Sequence, residues 1–234
     1  MISVCIATFN GEKYIEKQIK SILSQLKEDD EIIISDDYST DNTLEIIKNF
    51  SDKRIKIFLN PNTKGYTSNF ENSLAHAKGE IIFLSDQDDI WENNKVEKNI
   101  DYLYKYDLVI SDAKIIDDQG EIINDSYYKV RKATKSIGLN IIRFSGLGCC
   151  MCFNKKILKK ALPFPTNHHL ATHDNWLFLI GALYYKAEFI PDKLVLYRRH
   201  NSNASNGGFK QKTNLVFMIK YRIYLFNNLL KRIL

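Results

Sequence analysis

Three carboxylates fall within four residues at Asp86-Gln87-Asp88-Asp89, directly behind the apolar run Ile81-Ile82-Phe83-Leu84. Like charges this close repel, so the group needs a cation, hydrogen-bond donors or free water around it. Hard divalent cations take oxygen ligands, and Mg²⁺ or Mn²⁺ commonly shares a few carboxylates with substrate phosphates. The chemistry on offer is the binding of a nucleotide diphosphate with its metal. The same residues would also make a solvated turn, with Asp88 or Asp89 capping a helix at Ile90-Trp91-Glu92. Two more polar clusters follow short apolar runs, Thr8-Phe9-Asn10-Gly11-Glu12 and Asp36-Asp37-Tyr38-Ser39-Thr40-Asp41. Neither a GxGxxG nor a P-loop pattern occurs, which argues against dinucleotide oxidoreductases and P-loop enzymes.

The elements that must position these clusters alternate along the first half of the chain. Ile2 to Ala7, Glu31 to Ser35, Ile55 to Leu59, Ile81 to Leu84 and Leu108 to Ile110 read as strands. Between them, helices are expected from Tyr14 to Leu26, from Asp41 to Phe50, between Gly65 and Gly79, and from Val96 to Tyr104. Fully apolar strands in β-α repeats predict an α/β fold, a mostly parallel sheet with helices on both faces. Ligands of such sheets sit beyond the carboxyl ends of the strands, where all three polar clusters fall. After about residue 112 the alternation weakens. Asp117 to Gly120 reads as a hairpin turn between Ile115-Ile116 and Ile122-Ile123, and 125–135 as a mobile loop. A strand at 149–153, helices near 155–161 and 174–185, and a strand from Leu194 to Tyr197 complete the body. The stretches 201–203 and 206–208 read as a lid loop.

With 234 residues, 44% apolar and 26% charged, the chain has the makings of one ordinary globular domain. No basic leader precedes the first apolar run, and no run is long enough to cross a bilayer. Cys5, Cys149, Cys150 and Cys152 lack a second pair or a nearby histidine to complete a zinc site, and read as buried thiols. The net charge of +5 is unevenly spread: from Lys193 onward there are nine basic residues and no acidic ones, leaving the remainder at −4. The segment 215–234 is apolar at most positions with Lys220, Arg222, Lys231 and Arg232 interspersed, a basic amphipathic helix suited to a membrane surface or to packing on the body or a second copy.

Taken in order, these segments resemble glycosyltransferase family 2, with its GT-A fold and Rossmann-like sheet. Ala7 to Gly11 matches the family's opening strand and loop, and Asp36 to Asp41 its base-binding turn. Asn69-Phe70, Gly79-Glu80 and the block Asp86 to Trp91 are closer still to the rhamnosyltransferase-like branch. Gly148 to Phe153, His173-Asp174-Asn175-Trp176 and Tyr197-Arg198-Arg199-His200 resemble the later motifs. The resemblance implies one GT-A-like catalytic domain over 1–209, nucleotide-sugar binding over 1–112 and acceptor binding over 113–209, followed by the helical segment 210–234. It further implies inverting transfer of a sugar, rhamnose being the candidate, from a UDP- or dTDP-sugar to a saccharide or lipid-linked glycan in cell-surface polysaccharide synthesis.

On that resemblance Thr8 and Glu12 flank the nucleoside, Asp36 or Asp37 reads the base, Asp86 sits near the ribose, and Asn10 and Asn69 are further substrate-binding residues. Asp88, with His200, holds Mn²⁺ or Mg²⁺, while Arg198 and Arg199 contact the diphosphate. Asp174 is the expected base, at a helix start where the dipole favours negative charge and where a plain cap would serve equally. His173 would orient Asp174 or the acceptor; Trp91 is an acceptor platform or a core anchor. The Gln-x-x-Arg-Trp pattern of processive members is absent, which favours a single transfer. The expected setting is cytoplasmic, peripheral at the inner membrane face; an oligomer is compatible, and no nucleic-acid partner is expected. A nucleotidyltransferase would carry a Gly-rich basic loop after the first strand, which Thr8 to Lys13 is not. A non-catalytic sugar-binding module would be indifferent to Asp174→Asn.

Overall fold

The computed structural model describes residues 1–201, 203 and 215–232. Four parallel strands form its first half: β1 (Ile2–Thr8), β2 (Glu31–Asp36), β3 (Ile55–Leu59) and β4 (Ile81–Asp86), in the order β3-β2-β1-β4. Helices α1 (Ile15–Leu23), α2 (Thr43–Asn49) and α3 (Tyr66–His76) make the crossovers. Beyond β4 lie β5 (Ile90–Trp91), α4 (Lys95–Leu103), β6 (Leu108–Ile116), β7 (Ile122–Asn124), α5 (Tyr127–Arg131), α6 (Ile137–Ile142), β8 (Met151–Asn154), α7 (Leu158–Ala161), α8 (His173–Tyr184), β9 (Ala187–Arg198) and α9 (Leu215–Leu230). The sheet continues from β4 through β8, β6 and β9 to β5, with β7 hairpinned onto β6. Strand β8 runs antiparallel to both β4 and β6, whereas β6 and β9 pair in parallel.

Side chains alternate across a strand, and here both faces are apolar because both are covered. Val4, Ile6, Ile32, Ile34, Phe83 and Val109 pack on one face against Ile15, Ile19, Ile22 and Ile47 from α1 and α2. Their neighbours Cys5, Ile33, Leu84, Leu108 and Ile110 pack on the other face against Phe70, Leu74, Trp176 and Phe178 from α3 and α8. Burial of each such aliphatic or aromatic side chain contributes about 1.5–3 kcal/mol. All four cysteines are buried free thiols, in keeping with their apolar surroundings.

Four of these elements differ from expectation. Ile90-Trp91 is a strand rather than a helix start, because its backbone pairs with Leu196 and Val195 of β9. Strands β6 and β9 run far beyond Leu108–Ile110 and Leu194–Tyr197; their polar residues Asp112, Glu188, Asp192 and Lys193 hide the strand pattern, and the pairing shifts register around Asp112. The segment expected to be a mobile loop carries α5, whose N-cap Ser126 accepts a hydrogen bond from the Lys129 amide. Of the expected lid, only Asn201 and Asn203 are described; 202 and 206–208 lie outside the described residues. Among the described helices none is long and apolar enough to cross a membrane.

Candidate active site

Register brings the three polar clusters together. Thr8 lies opposite Asp36 across β1 and β2, and Ala7 opposite Asp86 across β1 and β4, so three adjacent parallel strands end on one edge. Connections leave β1 and β4 in opposite directions there, which opens a crevice. A cavity of about 640 Å³ occupies it, and it is lined by Thr8, Asp37, Asn69, Asp86, Asp88, His173 and Asp174 among the expected residues.

The two candidate base readers separate cleanly. Asp36 is fully buried and accepts hydrogen bonds from the Thr8 hydroxyl (2.8 Å) and from the Ser39 amide (2.7 Å) and hydroxyl (2.6 Å), so it builds the turn. Asp37 lines the cavity, fixed by Asn60 Nδ2 (2.6 Å) and the Gly65 amide (2.7 Å). Gly65 delivers that amide from φ +138°, a conformation L side chains rarely adopt. Asn69 donates to the Thr8 carbonyl (3.0 Å) and ties α3 to the end of β1.

Not every expected residue arrives. Asn10 and Glu12 do not line the cavity: the Asn10 side chain accepts from the Thr40 amide (2.8 Å), and the Glu12 carboxylate from the Asn42 amide (3.0 Å), holding the β1 loop to the α2 loop. Trp91 is 2% exposed and packs on Phe83 with ring centroids 5.3 Å apart, a core anchor far from any acceptor role. Arg198 is buried; its amide donates to Asp89 (2.9 Å), and its guanidinium to the carbonyls of Asp88 (2.8 Å), Asp117 (2.9 Å) and Asp118 (3.1 Å). Its Nε and Nη1 donors go to backbone carbonyls, so it braces the acidic turn, and it does not line the cavity. Arg199 donates to the Tyr197 hydroxyl (3.1 Å) and is likewise not part of the cavity wall.

Asp88 faces His200, with Oδ2 and Nε2 2.8 Å apart, and accepts from Asn203 Nδ2 (2.9 Å). Asp86, Asp89 and Cys149 bring ligand-type atoms within 4.8 Å of one another just behind. Burial, then the negative charges of Asp88 and Asp174, push the Asp86 carboxyl up to about 7; the fully buried Lys95 opposes the shift. This oxygen-rich, self-repelling set fits a hard divalent cation, with Asp86 and Asp88 as carboxylate ligands and His200 beside them.

Across the cavity, Asp174 sits in the first turn of α8 and accepts from the Thr172 hydroxyl (2.5 Å) and the Asn175 amide (2.8 Å). His173 is buried and stacks on Phe70 at 4.2 Å; burial lowers its pKa and keeps the imidazole neutral. Gly148 makes room for both: a Cβ there would lie 2.6 Å from His173 Nε2 and 3.3 Å from Asp174 Cβ. The phenol of Tyr66, which also lines the cavity and is 40% exposed, is pushed up to about 12 by partial burial and by the charges of Asp174 and Asp86. Lys64, Tyr66, Tyr127, Arg131, Phe144 and Tyr197 also line the cavity, and Lys95 stands behind it with its ammonium on the Cys149 carbonyl (2.9 Å). Local sequence singles out none of these; aromatics within the polar stretch 125–135 were the one available signal.

A profile of Glycosyl transferase family 2 matches residues 3–162. The chain belongs to glycosyltransferase family 2. It is 31% identical over 241 residues to the dTDP-rhamnosyl transferase RfbG of Shigella flexneri, covering 94% of this chain and 80% of that protein. It is 30% identical over 220 residues to the UDP-Glc:alpha-D-GlcNAc-diphosphoundecaprenol beta-1,3-glucosyltransferase WfgD of Escherichia coli, covering 90% and 82%. Among solved structures, Staphylococcus aureus TarS 1-349 in complex with UDP-GlcNAc superposes with a TM-score of 0.75 at 19% identity, over 98% of this chain and 66% of that one. The family 2 chain thus has the GT-A fold and spans about two thirds of that structure's length.

Proposed function

We propose that this family 2 protein moves a single sugar, with inversion, from a UDP- or dTDP-sugar to a saccharide carried on a lipid, as part of cell-surface polysaccharide synthesis. One observation carries the reading: Asp86, Asp88 and Asp174 line one cavity. The nucleoside would lie over the end of β1, with Asp37 accepting from the base imide and exposed Phe9 offering a stacking face. The diphosphate would lie against Asp86 and Asp88, which with His200 would hold Mn²⁺ or Mg²⁺. That ion, when bound, neutralises charge on the leaving diphosphate.

Asp174 takes the proton from an acceptor hydroxyl, whose oxygen then attacks the anomeric carbon from the face opposite the diphosphate. The bond from that carbon to the diphosphate oxygen breaks as the new glycosidic bond forms, and configuration inverts. RfbG and WfgD, by their names, use dTDP-rhamnose and UDP-glucose, so these are the donors of choice. The exposed side of α9 carries Ile219, Ile223, Phe226 and Leu230 beside Lys220 and Lys231. With no acidic residue after Lys193, two copies of α9 would juxtapose like charges, whereas an anionic bilayer surface complements them. This supports a peripheral place at the inner face of the membrane.

The donor assignment is tested by thermal unfolding against UDP, dTDP and their sugar conjugates, with and without Mn²⁺. A ligand of the folded state raises the melting temperature once it exceeds its dissociation constant. The expected result is a Mn²⁺-dependent rise with UDP- or dTDP-sugars that Asp88→Ala abolishes; no rise with any of them sinks the reading.

A further inference from the structure

A second cavity of about 420 Å³ adjoins the first and shares its Lys64-Gly65-Tyr66 wall. Its other lining residues are Thr63, Thr67, Thr166, Asn167, His168 and His169, so with the shared wall it offers an ammonium, two imidazoles and four hydroxyls and no carboxylate; that ammonium lies 5.6 Å from the Phe9 ring and 5.7 Å from the Tyr38 ring. Two acids border it: Asp37 accepts from the Gly65 amide (2.7 Å), and Glu71, which accepts from the Phe164 amide (2.6 Å), stands 3.9 Å from His168 Nε2. The position of this cavity is telling. On one side Thr67 accepts the His173 amide (3.3 Å), one residue from Asp174; on the other, the Asn167 amide donates to Tyr224 of α9 (2.8 Å). The cavity therefore lies between the base and the helix whose outer side is apolar and basic.

We propose that the second cavity receives the diphosphate of a lipid-linked acceptor, with Lys64, His168 and His169 supplying its hydrogen bonds. The proposal rests on the lipid-linked reading above and deepens it. A sugar bearing the attacking hydroxyl would lie against Asp174, its diphosphate at Lys64 and the histidine pair, and its lipid would leave past α9 toward the bilayer. Cationic and N–H donors suit phosphate oxygens, whose hydrogen bonds are charge-assisted and strong.

The probe is farnesyl diphosphate, titrated calorimetrically into the full chain saturated with UDP and, separately, into the chain without nucleotide. Inorganic pyrophosphate and farnesol serve as the separated halves. Farnesyl diphosphate should bind alongside UDP, and His168→Gln/His169→Gln should weaken it at least about tenfold while leaving UDP affinity unchanged. Lys64→Gln, at an exposed position, should weaken it similarly. Unchanged affinity in both variants overturns the site, as does displacement by UDP, which would place the probe in the donor cavity. Farnesol binding as tightly removes the diphosphate from the argument; pyrophosphate binding as tightly marks a free-phosphate site and removes the lipid. Failure of UDP to bind counts against the donor reading alone, because the nucleotide-free titration still judges the second cavity.

Discussion

At the scale of single residues, the most exposed claim concerns Asp174. Its hydrogen bonds to Thr172 and Asn175 resemble those of any acidic residue in a first helical turn, and only the cavity it lines separates base from cap. Asp174→Asn keeps the shape and most of the hydrogen bonding but cannot take a proton. Transfer should fall by about 10²–10⁴-fold while the donor-induced rise in melting temperature persists; a variant with full activity would reduce Asp174 to a cap. A second residue-scale prediction concerns stability. Arg54 grips Asp52 through two nitrogens (2.7 and 3.0 Å) and holds its carboxyl down at about 2. Because the folded value is below the ordinary 3.8, the stabilisation is present above about pH 4 and is lost as pH falls through 2. The pair is partly solvated, so Asp52→Asn should cost about 1 kcal/mol at pH 7 and only a small part of that near pH 2, read from urea unfolding at the two pH values.

At the scale of elements, the site is made by strand ends and by the contact of α8 with the turn before β8. Gly148 is where that contact is closest. Gly148→Ala would drive a methyl group into His173 and shift α8, carrying Asp174 with it. A displacement of about 1 Å can cost 10²-fold, so transfer should drop by about that factor while nucleotide affinity changes little. Equal losses in both would place Gly148 in the donor site instead. Elements also explain which site residues were readable. Thr8 and Asp86 end, and Asp37 directly follows, largely apolar parallel strands, where the crevice follows from the sheet itself. Arg198 looked like a phosphate ligand because it follows a strand in a basic triplet; in fact β6 and β7 turn back over it and claim its guanidinium with the carbonyls of Asp117 and Asp118. Trp91 looked equally fit for platform or core, and its pairing with β9 settled it for the core.

At the scale of the whole molecule, α9 packs Leu225 and Leu229 inward, and its Tyr221 meets Asn175, next to Asp174. Its outer side should bind vesicles of phosphatidylglycerol but not of phosphatidylcholine, and Ile223→Asp/Phe226→Asp should abolish sedimentation with them without lowering the melting temperature; loss of folding or of solubility as a monomer would point to protein contact there instead. The alternation of apolar runs and helical periodicity determined the parallel half of the sheet, and the carboxylates at the strand ends determined where a ligand belongs, because both depend on patterns of a few adjacent residues. The wall contributed by Lys64, Tyr66, Tyr127 and Arg131, the buried Lys95 behind Asp86, and the different surroundings of Asp36 and Asp37 were decided by tertiary structure alone. Each depends on contacts between segments tens of residues apart, and on which donor reaches a carboxylate first, neither of which leaves a mark on neighbouring residues.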